Sequence, residues 1–260
     1  EISEAPGASG FEDAAVAVAR RWCESIGPMQ EDFLRNLYVR RKENTGHKPM
    51  ILIDAHSDEC GLIVQAIKPN GTLRFRELGS WNKSALVGSK VLVRNALGEY
   101  IPGIIASKPV HFMSAAEKGH PALEIDNMVI DIGACSAEDA VQNFHVRMGE
   151  PVVPDTKFQY DAEHDLMFGK AFDCRIGCAA MLEALRRGNP EIDITLLVAT
   201  GCHRGTTPEE LAAKMGQEIA ERVISDDSQL RHNTVFLTIL YHTPLAPKIP
   251  FVERVDVKPE

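Results

Sequence analysis

An α/β core interrupted by a β-rich insertion is the fold class predicted for this 260-residue chain, and three observations predict it. Apolar residues recur at helical spacing in two well-separated stretches, residues 11–26 and 175–188. Two apolar runs, "PMILIDAH" (49–56) and "DITLLVAT" (193–200), read as strands that lie inside a sheet. Between them, from about residue 62 to 165, the pattern changes to short β-like runs broken by Gly, Asn and Pro.

The elements follow in order. "FEDAAVAVARRWCESI" (11–26) is the first helix, and Gly27-Pro28 stops it. "NLYVRRK" (36–42) is a strand separated from 49–56 by a polar turn containing Gly46. The insertion comprises "GLIVQAI", "TLRFREL", "SKVLVRN", "YIPGIIA", "MVIDIGA", "VRMGEPVV" and "TKFQYD". One helical piece, 136–144, interrupts it, with Ser136 as its N-cap. Helical periodicity returns at 175–188 and ends at Gly188, before the strand 193–200. A helix over 208–224, capped by Thr207 and opened by Pro208, and a strand over 233–242 complete the reading.

The formal charge of −9 argues against a nucleic-acid or anionic-membrane surface, because phosphates would be repelled. No apolar run is long enough to span a bilayer, so a cytoplasmic protein acting on small molecules or peptides is expected. Six cysteines scattered through the chain are too sparse for a disulfide scaffold and are read as reduced thiols. Cys174 and Cys178 are either half of a zinc site or, the favoured alternative, core thiols one helical turn apart.

The chemistry gathers where strands end. "ILIDAHSDECG" (51–61) turns from an apolar strand into titratable groups, and residues two apart on extended backbone face the same side. Asp58 can therefore orient His56 while the other ring nitrogen meets a metal; an ordinary polar strand terminus has the same two residues. Glu59 is assigned to solvent or to a local contact. In "MFGKAFDCRIGC" (167–178), Asp173 stands at a helix start, where a carboxylate can either accept N–H groups or bridge metal ions.

Five segments, "SEAPGASGFED" (3–13), "AHSDECG" (55–61), "SKPVHFM" (107–113), "IDIGACSAEDA" (130–140) and "GKAFDCRIGC" (169–178), together resemble the glutamyl-aminopeptidase or tetrahedral-aminopeptidase family of dinuclear metallo-aminopeptidases, from residue 3 to about 200. The resemblance implies an aminopeptidase-like α/β/α core (1–64 and 166–260) split by a β-rich, PDZ-like or β-barrel dimerisation domain (65–165). It also implies dimers and larger hollow oligomers, short peptides as substrates, and two divalent metal ions, zinc or cobalt, that activate a water. Carried over by motif, His56 is a metal ligand, Asp58 its orienting partner and Asp173 the carboxylate bridging both metals. The peptide bond after Asp173 is cis in such enzymes.

The chain then departs from the family. Where the strand 193–200 should lead into a pair of glutamates, a general base and a ligand, it leads into "GCHR". The next pair, Glu209 and Glu210, is assigned those two roles, although T-P-E-E is also an ordinary acidic helix start. His203 is an alternative ligand, the further ligand Asp is Asp226, Asp227 or neither, and His242 is assigned the last. Three origins are open: further internal residues in the protein, a decayed site in a structural or regulatory oligomer, or a rearranged site. The first is favoured, because losing central strands would expose apolar sheet edges.

Overall fold

The computed structural model describes residues 1–32, 35–48, 50–108, 110–114, 124–187, 193–199 and, as backbone, 234–238. Contacts divide the chain into two compact units. One is Glu1–Ala5, Glu12–Asp58 and Ala171–Glu260; the other is Pro6–Phe11 and Glu59–Lys170. Each unit packs around an apolar cluster of its own, which is what makes it compact.

The first unit is built on a sheet. Its strands are β1 (Met29–Glu31), β2 (Leu37–Arg40) and β3 (Met50–His56), joined by two that come much later in the chain, β12 (Asp193–Ala199) and β13 (Thr234–Thr238). The order is β1-β2-β12-β3-β13. β3 runs parallel to both neighbours, with Ala199 opposite His56 at the carboxyl end. Every residue of β12 is buried, as expected of a parallel strand covered on both faces.

Helix α1 (Asp13–Cys23) and a long helix, α3 (Phe172–Arg187), cover one face. Val16, Ala19 and Cys23 from α1 and Cys178, Met181 and Leu185 from α3 share a core with Ile53, Leu196 and Val198. Helix α1 ends at Cys23, short of the expected 11–26, and position 27 requires glycine for a steric reason: a Cβ there would lie 1.8 Å from the Arg40 carbonyl oxygen. The polar turn before β3 is held from β12, where buried Asp193 accepts the backbone N–H of Thr45 (2.9 Å) and of Gly46 (2.6 Å).

The second unit holds a closed barrel. Its strands are β4 (Gly61–Ile67), β5 (Leu73–Leu78), β6 (Lys90–Arg94), β7 (Tyr100–Ser107), β8 (Met128–Asp131) and β9 (Pro151–Pro154), ordered β4-β5-β8-β7-β6-β9. Closure removes the free edges of six short strands and packs Leu62, Leu73, Phe75, Val93, Ile105 and Ile130 inside. β4 enters the barrel from its first residue, Gly61 pairing with Leu78 of β5 and Leu62 with Val152 of β9. Helix α2 (Ala137–Gln142) opens as expected at Ser136, whose hydroxyl accepts the Asp139 N–H. A separate two-stranded ribbon, β10 (Gln159–Asp161) and β11 (Leu166–Phe168), completes the unit.

Candidate metal centre

The site begins with the alternation of β3. Ile53 and Ala55 enter the helix-covered core, Leu52 enters a smaller cluster with Leu197, and His56 ends the strand. Ser57 prolongs the pairing with β12 by one residue: its N–H donates to Ala199 O at 2.8 Å and its hydroxyl to the same oxygen at 3.1 Å. This buried anchor fixes the direction of the residues on either side of it.

Helix α3 supplies the opposite wall. Its start is interrupted by non-helical backbone at Asp173 and Cys174, and the peptide bond between them is cis, as the resemblance implies. Cys174 and Cys178 are buried, and all the described cysteines are free thiols. Cys178 lies against the end of β3, its Sγ 3.4 Å from His56 O, and burial pushes its thiol pKa up. Both residues lie in the helix-covered core, where the favoured reading puts them.

Three residues singled out from the sequence meet here. His56 Nδ1 lies 2.9 Å from Asp58 Oδ1, and His56 Nε2 lies 3.0 Å from Asp173 Oδ1. The Asp58 side chain is fully buried, whereas that of Asp173 is 59% exposed. Burial opposes charge on the imidazole, but Asp58 and then Asp173 outweigh it and raise the His56 pKa above its ordinary value. Cys174 joins them: one ligand atom each from His56, Asp173 and Cys174 falls within 4.8 Å of the others.

This donor set fits a divalent cation. A carboxylate behind an imidazole can accept the Nδ1 proton and so free the Nε2 lone pair for a cation; Asp58 Oδ1, 2.9 Å from Nδ1, stands in place for that role. Nitrogen and oxygen ligands at about 2.0–2.1 Å from a tetrahedral ion stand roughly 3.3 Å apart, close to the separation seen between His56 and Asp173. Glu209, Glu210 and His242 lie outside the described residues, as do His203, Asp226 and Asp227.

Glu59 corrects the expectation of a solvated or locally bound group. It is buried in the barrel unit, where its Oε1 accepts from Lys170 Nζ at 2.9 Å and from Gly7 N at 3.1 Å. Lys170 stands 111 residues away, and nothing local in the sequence announces the pair. Arg175 is the other residue that sequence reasoning missed. Its signal was its place two residues after Asp173 in "DCR", and its fully buried side chain donates from Nε to Ser57 O at 2.8 Å.

Comparisons with known proteins bear on the family and the fold. A family profile described as M42 glutamyl aminopeptidase matches residues 36–226. The putative aminopeptidase FrvX of Escherichia coli (strain K12) is 33% identical over 219 residues, covering 84% of this chain and 55% of FrvX. The TET aminopeptidase of the marine sediment archaeon Thaumarchaeota archaeon SCGC AB-539-E09 superposes with a TM-score of 0.74 at 33% identity, covering 92% of this chain and 63% of that one. The Pyrococcus horikoshii TET1 peptidase, which can assemble into a tetrahedron or a large octahedral shell, gives a TM-score of 0.71 at 25% identity over 92% of this chain and 66% of its own. The chain spans about half the length of the curated relatives it matches. With a profile match over most of its length and the same α/β sheet and barrel as the solved TET aminopeptidase, this chain belongs to the M42 glutamyl aminopeptidase family.

Proposed function

We propose that this chain belongs to a metal-dependent aminopeptidase that removes N-terminal residues from short peptides. The observation that carries the reading is the meeting of His56 Nε2 and Asp173 Oδ1, backed by buried Asp58. In this reading His56 and Asp173 would be the ligands of zinc or cobalt, with Asp173 as the carboxylate shared between two ions, and Asp58 would hold the imidazole in its donor tautomer. The chemistry such ions would supply, when bound, is polarisation of the scissile carbonyl and a lowered pKa of water. Glu209 as general base, Glu210 and His242 as further ligands remain assignments by resemblance. Asp173, exposed to solvent on a helix start, is free to turn its second oxygen toward another ion.

The test is hydrolysis of aminoacyl chromogenic substrates by the purified protein after addition of zinc or cobalt. Release of the chromophore that chelator abolishes supports the reading; oligomers that bind metal without hydrolysis support the second one, a catalytically degenerate assembly protein. The observation favouring that second reading is "GCHR" in place of the expected glutamate pair.

Self-association belongs to both readings. Tyr160, Leu166, Met167 and Phe168 on the β10–β11 ribbon are each about half exposed. An isolated two-stranded ribbon has too little cover to be stable alone, so a second copy of the chain is the proposed cover. Phe168→Glu places a charge in that apolar surface and is expected to convert dimers to monomers in sedimentation velocity, leaving the far-ultraviolet circular dichroism unchanged. Among the described residues no helix is long and apolar enough to cross a membrane, and a cytoplasmic location stays part of the proposal.

A further inference from the structure

His56 and Asp173 come from segments 117 residues apart, and one side chain links those segments directly. Arg175, two positions after Asp173, is only 1% exposed. Its Nε donates to Ser57 O at 2.8 Å, the carbonyl of the residue between His56 and Asp58. Its Nη1 donates to the carbonyls of Ile2 (3.0 Å) and Ser3 (3.3 Å) and also to Ala5 O. The guanidinium is a rigid planar fork, so holding Nη1 against the Ile2–Ala5 segment fixes where Nε points.

We propose that Arg175 is a positioning residue of the metal centre, setting the direction of the His56 and Asp58 side chains against Asp173 through the carbonyl of Ser57. This rests on the metal-binding reading given above. The two peptide units that flank Ser57 are each bonded: the His56–Ser57 unit donates its N–H to Ala199 O, and the Ser57–Asp58 unit accepts Arg175 Nε–H at its carbonyl. A buried carbonyl that loses its donor turns toward another, and the turn is transmitted to the imidazole on one side and the carboxylate on the other. Ligand atoms already 3.0 Å apart need little movement to take up an ion, and this preorganisation is what a rotation there removes.

Two nearly isosteric variants separate this role from a purely structural one. Glutamine places its amide nitrogen close to where arginine carries Nε, so Arg175→Gln keeps a donor for Ser57 O while losing those for the Ile2–Ala5 carbonyls. Arg175→Leu loses both. Zinc dissociation constants, measured by competition with a chromophoric chelator at a temperature where both variants are folded, are expected to rise about 10–100-fold in Arg175→Leu and less than about threefold in Arg175→Gln, while both melt at lowered temperatures, Arg175→Leu the lower of the two. Wild-type affinity in Arg175→Leu, or equal loss in both variants, overturns the proposal. If neither variant folds, the wild-type protein decides: zinc is expected to slow solvent exchange of the Arg175 Nε–H, followed by nuclear magnetic resonance in arginine-labelled protein, and an unchanged rate overturns the proposal. A wild-type chain that takes up no zinc contradicts the metal reading itself, an outcome distinct from either of these.

Discussion

Asp173→Ala is expected to abolish tight metal binding and to lower peptide hydrolysis by at least about a thousandfold, since loss of even one preorganised electrostatic contact at a reacting centre costs about 10²–10³ in rate. The fold should survive. The Asp173 side chain is 59% exposed, and its contact with His56 Nε2 lies at the mouth of the site rather than in the core beneath it. On the two-metal reading, elemental analysis after dialysis against zinc should fall from two ions per chain to none, while the thermal midpoints of variant and wild type, both taken in chelator, should stay close. Asp173→Asn sharpens the result. It retains a hydrogen-bonding oxygen beside the imidazole but not the charge that two cations require, so it should behave like Asp173→Ala. An Asp173→Ala protein that still carries two ions would show that this carboxylate bridges nothing.

Lys170→Met is expected to cost about 3–5 kcal/mol in stability, the usual consequence of breaking a buried ion pair from one side. The Lys170 and Glu59 side chains are only 6% and 3% exposed and meet at 2.9 Å. Glu59 is also tied to the Pro6–Phe11 segment: its N–H donates to Gly7 O at 2.8 Å, and the residue pairs with Ala8 in a parallel bridge. Without its ammonium partner, the Glu59 carboxylate keeps its full desolvation cost. The double variant Glu59→Leu/Lys170→Met removes both charges and is expected to lose much less than the sum of the single changes. Urea denaturation of the four proteins measures the coupling, and additive effects would assign the pair no joint role.

What can be read from the chain follows from interaction range. β3 and β12 are legible because strands buried on both faces need unbroken apolar runs, and Ile51–Ala55 and Ile194–Ala199 are nearly that. The barrel strands are legible one at a time, β4 over its full length, because turns rich in Gly and Asn separate them. Their closure is not. The order β4-β5-β8-β7-β6-β9 depends on pairings such as Leu62 with Val152, whose choice leaves no local mark. β1 gives no signal because three residues carry too little periodicity to register.

At the site the same division holds. His56 and Asp58 share a face of one extended segment, so their association is readable from spacing. That Asp173 faces the same imidazole comes from the resemblance of five segments in register, and the 3.0 Å contact is its counterpart in three dimensions. Arg175 and Glu59 act through backbone carbonyls and a distant lysine, and a sequence motif records neither the geometry of a buried fork nor the partner of a buried charge. Glu209, Glu210 and His242 stay with the resemblance alone.

The most direct test of the account is a crystal of the protein grown with zinc and recorded at the zinc absorption edge. An anomalous peak is expected about 2.0–2.1 Å from both His56 Nε2 and an Asp173 oxygen, with Asp58 still against Nδ1. Direct hydrogen bonding between His56 and Asp173 with zinc bound elsewhere, or nowhere, would contradict it.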